Sequence, residues 1–260
     1  MDTWTDRHER QAAARAEYER IMTTPSPDPM SAYIDAGVIG FVFGEMWRRG
    51  VLTGRDRRFV TLACLGSTDA AFPIETHVWA ALNSGDLTPE EFDEFVLHFA
   101  TQLGWPKASV LQMHGMLATA KLAEQRGEAP APLDFEPWTD PVPDEERHTR
   151  GDEAYRAVHG VDPPPPSTAF RRGAYLDYLH GEIWAREQYL SRRDRRIISI
   201  CCCAAAGVAG ETRSHLRAAL NNGELTREEL EELVVHFAVY VGWALGRQLD
   251  DLLVEVADPA

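Results

Sequence analysis

The chain contains no apolar run near the roughly 18 residues that a membrane span requires, and strand-like alternation of apolar and polar residues is nearly absent. It also lacks positive charge: 26 Lys and Arg face 41 Asp and Glu, for a formal charge of −15. A nucleic-acid or anionic-membrane surface needs a basic stripe to displace counterions, so neither partner is expected. The arginines instead fall in short clusters such as Arg55 to Arg58 and Arg192 to Arg196. The first twenty residues are highly charged, unlike a secretory signal, and the expected location is cytoplasmic. Cysteine is scarce as well. Of four, Cys64 stands alone and Cys201, Cys202 and Cys203 are consecutive. Neighbouring helical residues point about 100° apart, so these thiols cannot readily pair and no disulfide framework is expected. They read as small buried residues.

What the chain does have is a sentence written twice. Gly44-Glu45-Met46-Trp47 followed by Arg55-Asp56-Arg57-Arg58 returns as Gly181-Glu182-Ile183-Trp184 followed by Arg193-Asp194-Arg195-Arg196. His77-x-x-Ala80-Ala81-Leu82 returns as His215-x-x-Ala218-Ala219-Leu220, Thr88-x-Glu90-Glu91 as Thr226-x-Glu228-Glu229, and Gly104-Trp105 as Gly242-Trp243. The offset is 137 residues up to Trp184 and 138 from Arg193 onward, so one residue was gained in a loop near Glu187. The expected organisation is a first helical repeat with an N-terminal arm (1–126), a Pro-rich acidic linker (127–146) and a second helical repeat (147–260). Together the repeats would form an intrachain pseudo-dimer. Phe135 and Trp138 suggest that the linker packs against the domains.

The reading is all-α. Apolar residues recur at three and four, and each unit reads as a helix, a proline-rich connection and a five-helix block. In the second unit the pattern predicts a buried helix over Asp194 to Ala206, capped by Asp194 and broken at Gly210, then a helix over Glu211 to Asn222. Thr226 to Glu229 is a capping box, and Pro89 takes the favoured first helical position in the equivalent helix of the first copy.

These ordered motifs resemble the carboxymuconolactone decarboxylase family, and the resemblance covers both copies. It implies a compact all-helical fold that assembles into rings or larger oligomers, with loss of carbon dioxide from a carboxylated muconolactone as the best-known activity. Relatives of the alkyl hydroperoxidase D type use Cys-x-x-Cys-x-x-x-His. At those cysteine positions this chain has Val208 and Glu211 before His215, and Ala70 and Pro73 before His77. An attacking and a resolving thiol are both missing, which argues against peroxidase chemistry at that site.

Glu211 and His215, four apart, share one helical face. The resemblance brings the helix starting at Arg195 and Arg196 alongside. Decarboxylation beside an unsaturated lactone needs a partner for the oxygen that gains charge and a proton donor for the carbon left behind. His215 as acid, Arg196 as anion anchor and Glu211 as orienter are the candidate catalytic residues. Arg195, His180, His77 and His236 are candidates for substrate contact. Arg195 and Arg196 could equally bond Glu231 or Glu232, or tie subunits together. The first copy has Pro73 where the second has Glu211, and Phe43 where the second has His180, so the second copy is the expected place for chemistry. Glu90, Glu94 and His98, with Glu228, Glu232 and His236, are spaced four and four; inter-helix ion pairs are favoured over a metal site. Trp47, Trp105, Trp184 and Trp243 read as core or interface anchors.

The expected function is a cofactor-free and metal-free decarboxylase or related proton-transfer enzyme acting on a small anionic lactone or unsaturated keto acid. The alternative is a tailoring isomerase or an oligomeric scaffold on the same fold. The expected assembly is a trimer of two-repeat chains.

Overall fold

The computed structural model describes residues 6–68, 70–129 and 131–258. Among them are twelve helices and no strand. In the first repeat these are α1 (Arg7–Met22), the π-helix π1 (Tyr33–Met46), α2 (Gly54–Thr68), α3 (Ala71–Asn83), α4 (Pro89–Leu103) and α5 (Trp105–Arg126). The second repeats the order as α6 (Asp144–His159), π2 (Phe170–Trp184), α7 (Arg192–Ala205), α8 (Ala209–Asn221), α9 (Arg227–Val241) and α10 (Trp243–Ala257). No described helix is long and apolar enough to cross a membrane.

The helix starts follow from local chemistry. Thr88 and Thr226 close capping boxes with Glu91 and Glu229, as the spacing predicts. Asp194 does not cap α7. Ser191 is the N-cap and Asp194, at the third helical position, returns the bond, so the helix starts at Arg192. Gly210 does not break the chain either. The break falls at Gly207, whose φ of 71° lies in the left-handed region, and Gly210 sits in the first turn of α8. The second repeat likewise begins earlier than expected. Asp144, Glu145 and Glu146, assigned to the linker on composition, form the first turn of α6, where acidic side chains complement the helix dipole.

The repeats share one hydrophobic core rather than holding two. Phe59, Leu62, Phe95 and Phe99 of the first copy pack with Ile197, Ile200, Leu233 and Phe237 of the second, all fully buried. Burying each such side chain stabilises the fold by roughly 1.5–3 kcal/mol. Helix α2 packs on α7 about a pseudo-two-fold, and each also packs on a helix of the other copy, α2 on α9 and α7 on α4. Charges cross the same axis. Arg55 bonds Asp194 at 3.2 Å and Arg193 bonds Asp56 at 3.0 Å.

Helices α6 and π2 meet almost backbone to backbone. A Cβ on Gly151 would stand 2.7 Å from the Leu176 carbonyl oxygen, and one on Gly181 would stand 3.2 Å from the Gly151 Cα. The glycine of the Gly-Glu-x-Trp motif is therefore a packing requirement. The linker docks through its backbone and through Asp134: Arg186 donates to the carbonyl oxygens of Glu136 at 2.6 Å and Pro137 at 3.4 Å, and the Tyr189 hydroxyl donates to Asp134 at 2.7 Å. Trp138 rests edge-on against Tyr178 but is 73% exposed.

Candidate functional site

Two polar clusters lie inside the fold, and each draws on both copies. Arg57, on α2, donates to Glu232 at 2.8 Å and to Nδ1 of His236 at 3.1 Å, both on α9. Arg195, on α7, does the same to Glu94 at 2.7 Å and Nδ1 of His98 at 3.3 Å, both on α4. An arginine only donates, so each Nδ1 accepts and each Nε2 carries the proton, given to Thr61 by His236 and to Ser199 by His98, both at 2.9 Å. Glu232 and Glu94 thus sit in ion pairs across the repeats, completed by Arg49 and Arg186. Arg195 bonds neither Glu231 nor Glu232, because the partner acid comes from the opposite copy.

Arg196 stays within its own copy. It bonds Glu224 at 2.5 Å, the Val158 carbonyl oxygen at 2.5 Å and Nδ1 of His215 at 2.7 Å. Nδ1 of His215 is therefore an acceptor, which leaves the proton on Nε2. Burial, then the neighbouring charge of Arg196, holds His215 well below the usual imidazole range, so it is neutral at pH 7. Arg58 makes the equivalent bonds to Asp86 and the Ile21 carbonyl oxygen. Its third nitrogen and Nδ1 of His77, however, have no hydrogen-bond partner among the described residues. His77 lies parallel to Trp47, at a centroid separation of 6.4 Å, and burial followed by the charge of Arg58 lowers its pKa to about 3.

Around His215 the second copy adds a relay with no counterpart in the first. His180 Nδ1 lies 2.7 Å from the Tyr175 carbonyl oxygen, so it donates, and its Nε2 accepts. His159 Nε2, 3.1 Å away, must then donate, and its Nδ1 accepts from the Ser214 hydroxyl at 3.0 Å. Desolvation leads in lowering both rings, His159 to about 3 and His180 to about 4. The His159 and His215 centroids are 5.2 Å apart. Glu211 accepts from the Tyr175 hydroxyl at 3.4 Å, and no hydrogen bond joins it to His215 among the described residues. Burial and then Glu211 raise the Tyr175 pKa. Cys203, its thiol pushed up to about 12 by burial and then by Glu211, donates to Gln102 of α4 at 3.7 Å.

His215, Arg196 and His180 therefore gather in one cluster, with Glu211 at its edge. Arg195 faces the opposite copy, while His77 and His236 belong to the first-copy cluster. His159, Tyr175, Cys203 and Gln102 were missed from sequence. The signal was present in the comparison of copies: Met22, Val38 and Leu65 stand where the second copy has His159, Tyr175 and Cys203. Trp47 and Trp184 are buried anchors; Trp105 and Trp243, more than half exposed, rest on Tyr178 and Phe41 of the opposite copy.

The chain is 44% identical over 65 residues to a 4-carboxymuconolactone decarboxylase of Acinetobacter baylyi, a stretch covering 25% of this chain. It spans 47% of that curated relative's length. The sequence model of the carboxymuconolactone decarboxylase family matches residues 34–112 and again 173–253, once in each repeat. With the same helices, the same motif and the same arginine–histidine pairing built twice, the chain belongs to the carboxymuconolactone decarboxylase family.

Proposed function

We propose that the chain is a cofactor-free decarboxylase, or a closely related proton-transfer enzyme, acting on a small carboxylated lactone or unsaturated keto acid at the second-copy cluster. One observation carries this reading. At five positions around His215 the second copy has His159, Tyr175, His180, Cys203 and Glu211 where the first has Met22, Val38, Phe43, Leu65 and Pro73. A polar group in an interior is retained at a cost, so five together mark a place for chemistry.

In the proposed reaction the bond to the substrate carboxylate breaks and carbon dioxide leaves. The electron pair moves into the conjugated carbonyl, whose oxygen gains charge, and a proton returns to carbon. His215, neutral and with its proton on Nε2, donates a hydrogen bond to that oxygen, as a neutral electrophilic imidazole does. Arg196 is a positioning residue, because its bond to Nδ1 selects this tautomer. The proton that returns to carbon comes from water, which the Tyr175–Glu211 pair at the edge of the cluster orients. Arg195 serves the repeat interface. The name of the Acinetobacter relative supports 4-carboxymuconolactone as the first substrate to try.

Incubation with 4-carboxymuconolactone and measurement of carbon dioxide release tests the reading. His215→Ala is expected to abolish release while His77→Ala retains most of it. The reverse pattern moves the site to the first copy, and release by neither wild-type nor variants sinks the decarboxylase reading in favour of an isomerase or scaffold role. We further propose that three chains assemble into a ring. A solution mass equal to a lone 29.1 kDa chain refutes that.

A further inference from the structure

Trp184 stands at the centre of the second-copy cluster. Its ring lies within 17° of parallel to His215 at a centroid separation of 5.8 Å, meets His98 edge-on at 5.2 Å, and carries the Arg196 guanidinium over its face at 4.9 Å. The residue is 2% exposed, and its indole Nε1–H is buried with no acceptor among the described residues. An indole nitrogen only donates, and when buried it usually finds a partner.

The first copy shows where that proton is aimed. There the equivalent Trp47 donates to the hydroxyl of Tyr240 at 2.8 Å. The residue equivalent to Tyr240 in the second cluster is Gln102, whose side-chain oxygen accepts from the Cys203 thiol instead. Gln102 and Cys203 are both only half-buried. One tryptophan N–H is thus stoppered by a phenol. At the position equivalent to that phenol the second cluster has an amide, bonded to a thiol, and both are half-buried.

We propose that the Trp184 indole N–H donates a hydrogen bond to the substrate oxygen that becomes negative, beside Nε2–H of His215, and that Tyr240 blocks the equivalent donor in the first copy. This inference rests on the proposed decarboxylase reading and specifies the substrate end it acts on: a conjugated carbonyl or carboxylate oxygen. The two donors come from stacked rings, Trp184 on π2 and His215 on α8, so their separation is fixed before substrate arrives. Such preorganised donors act where charge develops, and losing one lowers kcat by about a hundredfold. Among the described residues the Gln102 side chain is held by a single weak bond, from the Cys203 thiol at 3.7 Å.

The test is an indole-15N spectrum of the full-length chain titrated with muconolactone, the decarboxylated lactone, together with turnover of 4-carboxymuconolactone. Trp184→Phe, which keeps an aromatic ring against His215 and Arg196, and Gln102→Tyr each assign the Trp184 signal independently, so the assignment survives if one variant does not fold. The Trp184 signal is expected to move downfield on titration while that of Trp47 stays fixed. Trp184→Phe is expected to lower kcat about a hundredfold with KM changed less than about threefold. Gln102→Tyr, which builds the first-copy stopper into the second, is expected to remove lactone binding, while Tyr240→Gln leaves turnover as in the wild type. Lactone binding with a stationary Trp184 signal, or an unchanged kcat in Trp184→Phe, overturns the donor role and leaves the decarboxylase reading standing. A wild-type chain that neither binds the lactone nor releases carbon dioxide overturns both.

Discussion

Arg196 donates to Nδ1 of His215 at 2.7 Å, whereas the equivalent atoms of Arg58 and His77 have no hydrogen-bond partner among the described residues. The same two residue types in the same fold thus fix an imidazole tautomer in one copy and not in the other. His215 is expected to remain neutral, protonated on Nε2, as pH falls through the ordinary imidazole range, because burial and Arg196 both oppose its charging. Histidine 15N spectra across that range check this. A His215 that titrates near 6.5 contradicts it.

Acid should weaken the protein well before its carboxylates titrate. Six buried imidazoles, His77, His98, His159, His180, His215 and His236, have folded pKa values below the ordinary 6.5. Between 6.5 and those depressed values the unfolded chain binds more protons than the folded one. Stability is therefore full above about pH 6.5 and falls as pH drops below it, by up to about 1.4 kcal/mol per unit for each ring, the fall running to about 3 for His77 and His159 and about 4 for His180. Urea midpoints at about pH 7, 6 and 5 measure the slope. Restoring the first-copy residues with His159→Met and His180→Phe should flatten it.

The crossed ion pairs are expected to couple the repeats. Arg195→Met leaves Glu94 with Arg186 alone in a buried setting, and loss of one partner of such a pair costs about 3–5 kcal/mol. Because the core is shared, the variant should still unfold in one transition. Two separated transitions in urea, followed by fluorescence and by circular dichroism, count against a single cooperative unit.

Gly151→Ala should push π2 away from α6, because the new Cβ meets the Leu176 carbonyl oxygen rather than a flexible side chain. A destabilisation of about 1–3 kcal/mol is expected, read from thermal melts. Turnover should fall further than the loss of folded protein explains, since π2 carries His180 and ends at Trp184. Gly210→Ala, where a Cβ meets nothing within 4 Å, is the control.

Much of the fold was legible because its signals are local. Thr88 and Thr226 announce their helices through the residue three positions on, and the repeat reveals itself by identity alone. The departures are also local. Ser191 outcompeted Asp194 as a cap because a hydroxyl at the N-cap and a carboxylate three residues later satisfy each other's amides. The partners of Arg195 were not legible. Glu94 lies a hundred residues away, and only the crossing of α7 over α4 brings it near. His159 was hidden for a different reason: it falls outside the motif, and only its pairing with Met22 sets it apart.

Each cluster borrows a helix from the opposite copy, α4 for one and α9 for the other. In a symmetric pair of single-repeat chains, one inherited change would alter both clusters at once; a tyrosine in the place of Gln102 would appear twice. Joining the repeats through residues 127–143 frees the chain from that constraint. Position 102 holds an amide while its twin at 240 holds a phenol, and each cluster can change independently although neither is built by one half alone.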